Sequence, residues 1–285
     1  MRALMHFLAR LPLPLLHGLG ALLGWLVYAL SGTYRRNLRT NLAAAGYHEA
    51  RIRRAVIAEA GKMALEAPKI WLRPRTETLP LVRELDGREH VDAARAAGKG
   101  IVFLTPHLGC FEITPQFAAE HFPITALYRP PKFAWLHALV EEGRAQHNVR
   151  LASADRQGVR ELVAALRRHE AVGILPDQVP GEGEGEWAEF FGRPAYSMTL
   201  AARLAARPGT VCLVAIAERL PRGRGYAIRI RPAPESLPGE PATRRINRAI
   251  EEAVRKRPEQ YLWGYNRYKT PKGAKPMPRA DERLP

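Results

Sequence analysis

His107 and Glu112 are a pair whose residue types and spacing could handle a proton. They lie in 105-TPHLGCFEITP-115, directly after the apolar run 101-IVFL-104. The run has the composition of a buried strand, and a helix is expected to begin near Cys110. That puts His107 in the connecting loop and Glu112 in the first helical turn. Five positions apart inside one helix, the two side chains would point to different faces. From the loop, the imidazole can fold back onto the carboxylate. The carboxylate would fix the tautomer and steady the imidazolium, leaving the other ring nitrogen to accept a proton. Amides of the first turn would suit a developing oxyanion. The plain alternative is a loop histidine beside the first acidic residue of a helix, and the spacing alone does not separate the two.

Other chemistries find less support. The sequence has no HExxH and no Cys/His cluster, so no metal site is expected. It has no GxSxG and no glycine-rich phosphate loop; 181-GEGEGE-186 lacks a following Lys-Ser/Thr and reads as a mobile surface loop. Cys110 reads as a buried structural cysteine rather than a nucleophile. Cys110 and Cys212 fall in different elements, which favours a reducing, cytosol-facing compartment.

The elements that must hold His107 follow an alternating pattern. Residues 34–72 read as helices, with Ile52, Val56, Met63 and Ile70 at near-helical spacing, and Pro74 and Pro80 mark the exit. From about residue 86, strands (100–106, 124–129, 149–154, 171–177, 211–220, 226–232) alternate with helices (88–98, 132–146, 158–170, 195–207, 242–258), and 178–194 reads as a loop. Continuous apolar strands between helices predict an α/β fold, a mostly parallel sheet covered on both faces. Ligands bind beyond the carboxyl ends of such strands. His107, Arg129 and Asp177 all stand at such ends.

The chain has 285 residues, 46% of them hydrophobic, and a formal charge of +16. Such a surface attracts phosphates, anionic lipid or acidic proteins. A nucleic-acid-binding protein is a remote alternative, because the charge is scattered, no binding motif is present and an apolar N-terminus serves no such purpose. Residues 11–32 carry no charge if His17 is neutral, and 34-YRRNLR-39 follows. About 20 helical residues cross a bilayer core of roughly 30 Å, and arginines at that flank hold it on the cytoplasmic side. Full spanning and shallow embedding both fit. The organisation expected is an N-terminal membrane helix over 1–33, then a catalytic domain over 34–285. The latter divides into a helical lead-in (34–85), an α/β core (86–269) and a loose tail (270–285).

The run 107-HLGCFE-112 after a strand fits the HxxxxD/E motif of the glycerolipid acyltransferase superfamily. With 34-YRRNLRTNLAAAG-46, 176-PDQVPGEGEGEWAEFFGRPA-195 and 259-EQYLWGYNRYK-269, the chain resembles the late acyltransferases of lipid A biosynthesis, the lauroyl and myristoyl transferases. The resemblance covers nearly the whole chain. It implies a glycerolipid-acyltransferase-like fold at the bacterial inner membrane, with the catalytic domain facing the cytoplasm. It also implies transfer of a fatty acyl chain from acyl carrier protein, where phosphopantetheine carries it as a thioester, to a hydroxyl of a lipid A precursor. On that pattern His107 is the general base and Glu112 orients it. No bound cofactor or metal is needed, because a thioester is already activated.

Arg129 and Arg144 take the place of the family's basic residues and would contact phosphate or oxyanion. Asp177 and Gln178 end the PDQ strand, where Asp177 could position Arg129 or a substrate hydroxyl. Trp187, Phe190 and Phe191 are candidates for an acyl groove or for core. Lys132, Arg167 and Arg168 are candidates for docking acidic acyl carrier protein. The family's closing segment often has a histidine-arginine pair after its tryptophan, where this chain has Gly264 and Tyr265. That departure leaves room for another hydroxylated acceptor, a lysophospholipid or an amino-acid lipid.

Overall fold

The computed structural model describes residues 2–130, 134–145, 148–274, 276 and 277. Lys132 and most of the expected tail lie outside the described residues. The chain begins with α1 (Arg2–Arg10), α2 (Leu13–Leu30), α3 (Gly32–Ala44), α4 (Ala50–Leu72) and α5 (Arg75–Thr78). It continues through β1 (Val82–Asp86), α6 (Arg88–Ala96), β2 (Gly100–Leu104), α7 (Ile113–Ala118), β3 (Ile124–Tyr128), α8 (Ala134–Arg144), β4 (Val149–Ser153), α9 (Arg156–Arg167) and β5 (Ala171–Ile174). The last elements are β6 (Gly185–Phe190), β7 (Arg193–Met198), α10 (Thr199–Ala205), β8 (Thr210–Arg219), β9 (Tyr226–Pro232) and α11 (Ala242–Lys256).

Seven strands form one sheet in the order β1-β9-β8-β2-β5-β3-β4. Every neighbouring pair is parallel except β8–β9. The mostly parallel α/β sheet expected from the sequence is therefore what forms. Strand β2 is buried along its whole length because both of its faces are covered. Val102 and Leu104 enter one core with Leu162, Leu166, Ile250 and Val254. Ile101 and Phe103 enter the other with Val91, Ile113 and Ile228. This is the two-residue periodicity of a strand read from both sides.

Three local readings are corrected. Residues 185–198, expected to be mostly loop, form the β6–β7 hairpin, paired from Gly185↔Met198 to Phe190↔Arg193. Its turn residues Phe191 and Gly192 both take positive φ, 48° and 73°. Two-residue turns of this kind usually carry Asn-Gly or Asp-Gly, so Phe-Gly gives little sequence signal. The helix expected over 195–207 is shortened to α10 because that hairpin takes its first residues. Strand β1 sits at a sheet edge with no fully buried residue and lacks the apolar run that announces the others.

Candidate active site

Sheet order decides which groups meet. β2 and β5 are adjacent and parallel, with Leu104 opposite Ile174. His107 lies three residues past the end of β2, and Asp177 three past the end of β5. Equal offsets on two strands in register bring the side chains together. The His107 backbone N–H donates to Asp177 Oδ2 at 2.8 Å, and ring Nδ1 lies 2.8 Å from Oδ1. Nδ1 therefore carries the proton, and the lone pair is on Nε2. The Gln178 side-chain amide donates to that Nε2 at 3.1 Å.

Asp177 is buried. Burial pushes its pKa up, but the His107 charge and the hydrogen bonds from His107 outweigh this and hold it below the usual carboxylate range. Beside it, burial and then the Asp177 charge push the Tyr261 hydroxyl well up, so it stays protonated.

The expectation that Glu112 steadies the ring is corrected. Glu112 Oε2 accepts from Trp71 Nε1 at 2.9 Å and from Arg144 Nε at 2.8 Å, and Arg144 Nη2 bonds Oε1. The carboxylate is committed to a guanidinium fork and an indole. The Arg144 guanidinium also stands 5.8 Å from the Trp71 ring centroid and 5.6 Å from that of Tyr128. Helix α7 starts only at Ile113, and the amides of Gly109, Cys110, Ile113 and Thr114 are spent on backbone carbonyls. Those four amides are therefore not free to bind an oxyanion.

Arg129 is exposed and pairs with Glu184 at 3.3 Å, not with Asp177. Arg168 pairs with Glu170, while Arg167 is exposed. Cys110 is fully buried, and burial pushes its thiol well up, away from nucleophilic use.

A cavity of about 260 Å³ opens along one sheet face beneath α6 and α7. Phe103, Phe117, Phe122 and Leu127 form its apolar walls, and Phe111, Glu112 and Arg144 line it as well. Phe111 also packs on the His107 ring, 4.8 Å between centroids. Phe111 thus links the cavity wall to the imidazole, which is not itself among the lining residues.

None of the three expected groove aromatics lines this cavity. Phe190 and Phe191 are buried in the core on the other sheet face, with Tyr261 and Trp263. Trp187 lies edge-on to Tyr196 across the hairpin, 5.5 Å between centroids.

Sequence reasoning missed the groups that hold the His107 loop. Gly109 has φ +63°, and a Cβ there would come within 2.0 Å of Ala217 O. Only glycine permits that approach, which lets Cys110 N–H donate to Ala217 O at 2.8 Å. Arg219 Nη2 donates to Gly109 O at 2.7 Å, and Gln260 O accepts from Gly109 N–H at 3.1 Å. Arg219 also binds the buried carboxylate Glu66 through Nε and Nη2, and Glu66 lies 3.1 Å from His17 on α2. Gly109 and Gln260 fall inside the quoted motifs, but Glu66, Ala217 and Arg219 do not, and no local pattern in the sequence joins them.

At the departure point, Gly264 presses on the Tyr34 ring, and the Tyr265 hydroxyl accepts from Val179 N–H at 3.0 Å. Asn41 of α3 donates to Trp263 O and Tyr265 O, each at 2.7 Å. The lead-in motif and the closing motif are therefore in contact, next to the loop that carries Asp177 and Gln178.

The family model for bacterial lipid A biosynthesis acyltransferases matches residues 1–270. The lipid A biosynthesis palmitoleoyltransferase of Escherichia coli (strain K12) is 27% identical over 269 residues, covering 92% of this chain and 87% of that protein. The lauroyltransferase of the same organism is 26% identical over 274 residues, with the same coverage of 92% and 87%. Its myristoyltransferase is 27% identical over 203 residues, 67% of this chain and 60% of that protein. A match running through the His107 strand end and the closing segment alike places the chain in the bacterial lipid A biosynthesis acyltransferase family.

Proposed function

We propose that this chain transfers a fatty acyl group from the thioester of acyl carrier protein to a hydroxyl of a lipid A precursor at the cytoplasmic face of the inner membrane. The observation that carries the mechanism is the buried Asp177 carboxylate on His107 Nδ1 at 2.8 Å, which leaves Nε2 as the base. The acceptor hydroxyl replaces the Gln178 amide at Nε2 and gives up its proton as its oxygen attacks the thioester carbonyl. The tetrahedral oxyanion collapses, the C–S bond breaks, and the imidazolium returns the proton to the departing thiolate. Asp177 holds the ring and stabilises its charge, acting as a positioning residue. The Gln178 amide, displaced from the ring, supplies a donor beside the reacting carbon.

The apolar cavity past Phe111 takes the acyl chain. Glu112, held by Trp71, fixes Arg144 on the wall of that cavity. Arg129 is the exposed guanidinium for an acceptor phosphate, and Arg167 and Arg168 offer positive charge to the acidic carrier. No step calls on a metal or a bound cofactor.

The test is mass spectrometry of products from purified protein, defined acyl carrier thioesters and lipid A precursor. His107→Ala is expected to abolish product while leaving the protein folded, and near-normal turnover of that variant would end the mechanism. Gly264 and Tyr265, which replace the family's usual pair, favour testing a second hydroxylated lipid acceptor in parallel. An unchanged lipid A acylation pattern in a deletion strain would reject lipid A as the acceptor.

A further inference from the structure

Helix α2 is 18 residues long and apolar enough to cross a membrane, yet both of its ends are fastened to the same catalytic domain. At the N-terminal end, Arg2 pairs with Glu142 of α8 at 3.1 Å, and Lys69 of α4 donates to Ala9 O at 2.9 Å. At the C-terminal end, α3 is tied through Asn41 to the closing segment.

Between its ends α2 lies on α4. Leu13, Leu16, His17, Gly20 and Gly24 form its buried stripe. A Cβ at Gly20 would sit 2.7 Å from Lys62 Cα, and one at Gly24 would sit 2.0 Å from Ile57 O. The two helices touch backbone to backbone. His17, inside that contact, bonds the buried Glu66.

A helix so placed cannot span. α4 carries Arg51, Arg53, Arg54, Glu59, Lys62, Glu66 and Lys69, and hydrocarbon penalises such charges heavily. To cross alone, α2 would have to leave α4 and take His17 away from Glu66 into lipid.

The opposite face is apolar and open: Leu15, Leu19, Leu22, Trp25, Leu26 and Leu30 are exposed, as are Leu4 and Phe7 of α1. Residues 1–48 contain arginines at 2, 10, 35, 36 and 39 and no Asp or Glu. An apolar face whose own segment carries arginines and no acidic residue matches one leaflet of an anionic bilayer. We infer that α1 and α2 lie in the plane of the membrane, embedded in one leaflet, with the catalytic domain held against the surface and both ends of α2 on the same side.

This goes beyond the catalytic proposal, and its test reads topology whatever lipid is acylated. Arg10→Cys and Arg36→Cys, placed singly in the full chain, are treated with a membrane-impermeant maleimide in inverted and in right-side-out membrane vesicles. The native Cys110 and Cys212 are buried and serve as the unlabelled background. Both variants are expected to react in one vesicle orientation and neither in the other. Reaction of the two from opposite sides, or protection of Arg10→Cys on the side where Arg36→Cys reacts, overturns the inference.

A second measurement tests the face itself. Flotation with phosphatidylethanolamine/phosphatidylglycerol vesicles is expected to fall at least ~10-fold for the Leu22→Glu, Leu26→Glu double variant. Flotation equal to that of the unaltered chain overturns the assignment of that face to lipid.

Discussion

Replacing Asp177 by Asn separates the two carboxylates that could serve His107. Asp177 accepts from two donors at 2.8 Å, the His107 backbone N–H and ring Nδ1. The backbone N–H must donate, so the Asn carbonyl oxygen has to face it, and the Asn NH₂ then faces Nδ1. That forces Nδ1 to accept, moves the proton to Nε2, and leaves no lone pair there for the acceptor hydroxyl. A wrong tautomer in an otherwise intact site costs on the order of 10³–10⁴ in kcat, about 4–5.5 kcal/mol of barrier. The fold changes little, because Asn keeps the volume and both contacts, so a stability loss of no more than about 1–2 kcal/mol is expected.

The companion variant Glu112→Gln loosens Trp71 and Arg144 instead. Its expected signature is a stability loss of about 2 kcal/mol, less than for a fully buried pair because Arg144 is partly exposed, with kcat reduced less than in Asp177→Asn. The assay is steady-state transfer from an acyl carrier thioester, with Tm read by circular dichroism on the same preparations. If Asp177→Asn keeps more than about a tenth of kcat while Glu112→Gln loses ~1,000-fold at unchanged Tm, the assignment of Asp177 to the ring is refuted.

Burial raises the Glu66 pKa, but the Arg219 charge and the bonds from His17 and Arg219 outweigh this and hold it at about 2, against an ordinary 4.5. A depressed carboxylate stabilises the fold above pH ~4.5 and loses that contribution as pH falls toward ~2. Arg219→Met is therefore expected to cost about 3–5 kcal/mol and to move the acid-unfolding midpoint to higher pH, followed by circular dichroism from pH 7 to 2. Gly173 of β5 lines the cavity, and a Cβ there meets only ordinary contacts, the nearest at 3.6 Å. Gly173→Val should shift donor preference toward shorter acyl chains by about 1–3 kcal/mol per methylene, measured by competition between thioesters of different length. Phe190→Ala should cost about 3–5 kcal/mol in a denaturant melt and leave that preference unchanged, as its place in the opposite core requires.

The alternation of apolar strands with helices was enough to foresee a mostly parallel sheet, because burial on both faces removes polar residues from a central strand such as β2. It also placed His107 and Asp177 at strand ends, where such sheets bind ligands. What it could not supply was strand order. Nothing local says that β5 inserts between β2 and β3, yet that insertion puts Asp177 on the imidazole and leaves Glu112 to Arg144.

The same holds for the aromatics. Trp187, Phe190 and Phe191 have groove-like composition, and only the hairpin's side of the sheet shows two of them to be core. The apolar length of residues 11–32 and the arginines around it are properties of the sequence alone. That both ends of the helix return to one domain, with His17 buried on Glu66, arises from residues distant in the chain. Periodicity and composition are local and read directly; which distant groups become partners depends on how strands and helices assemble, and that sets the chemistry.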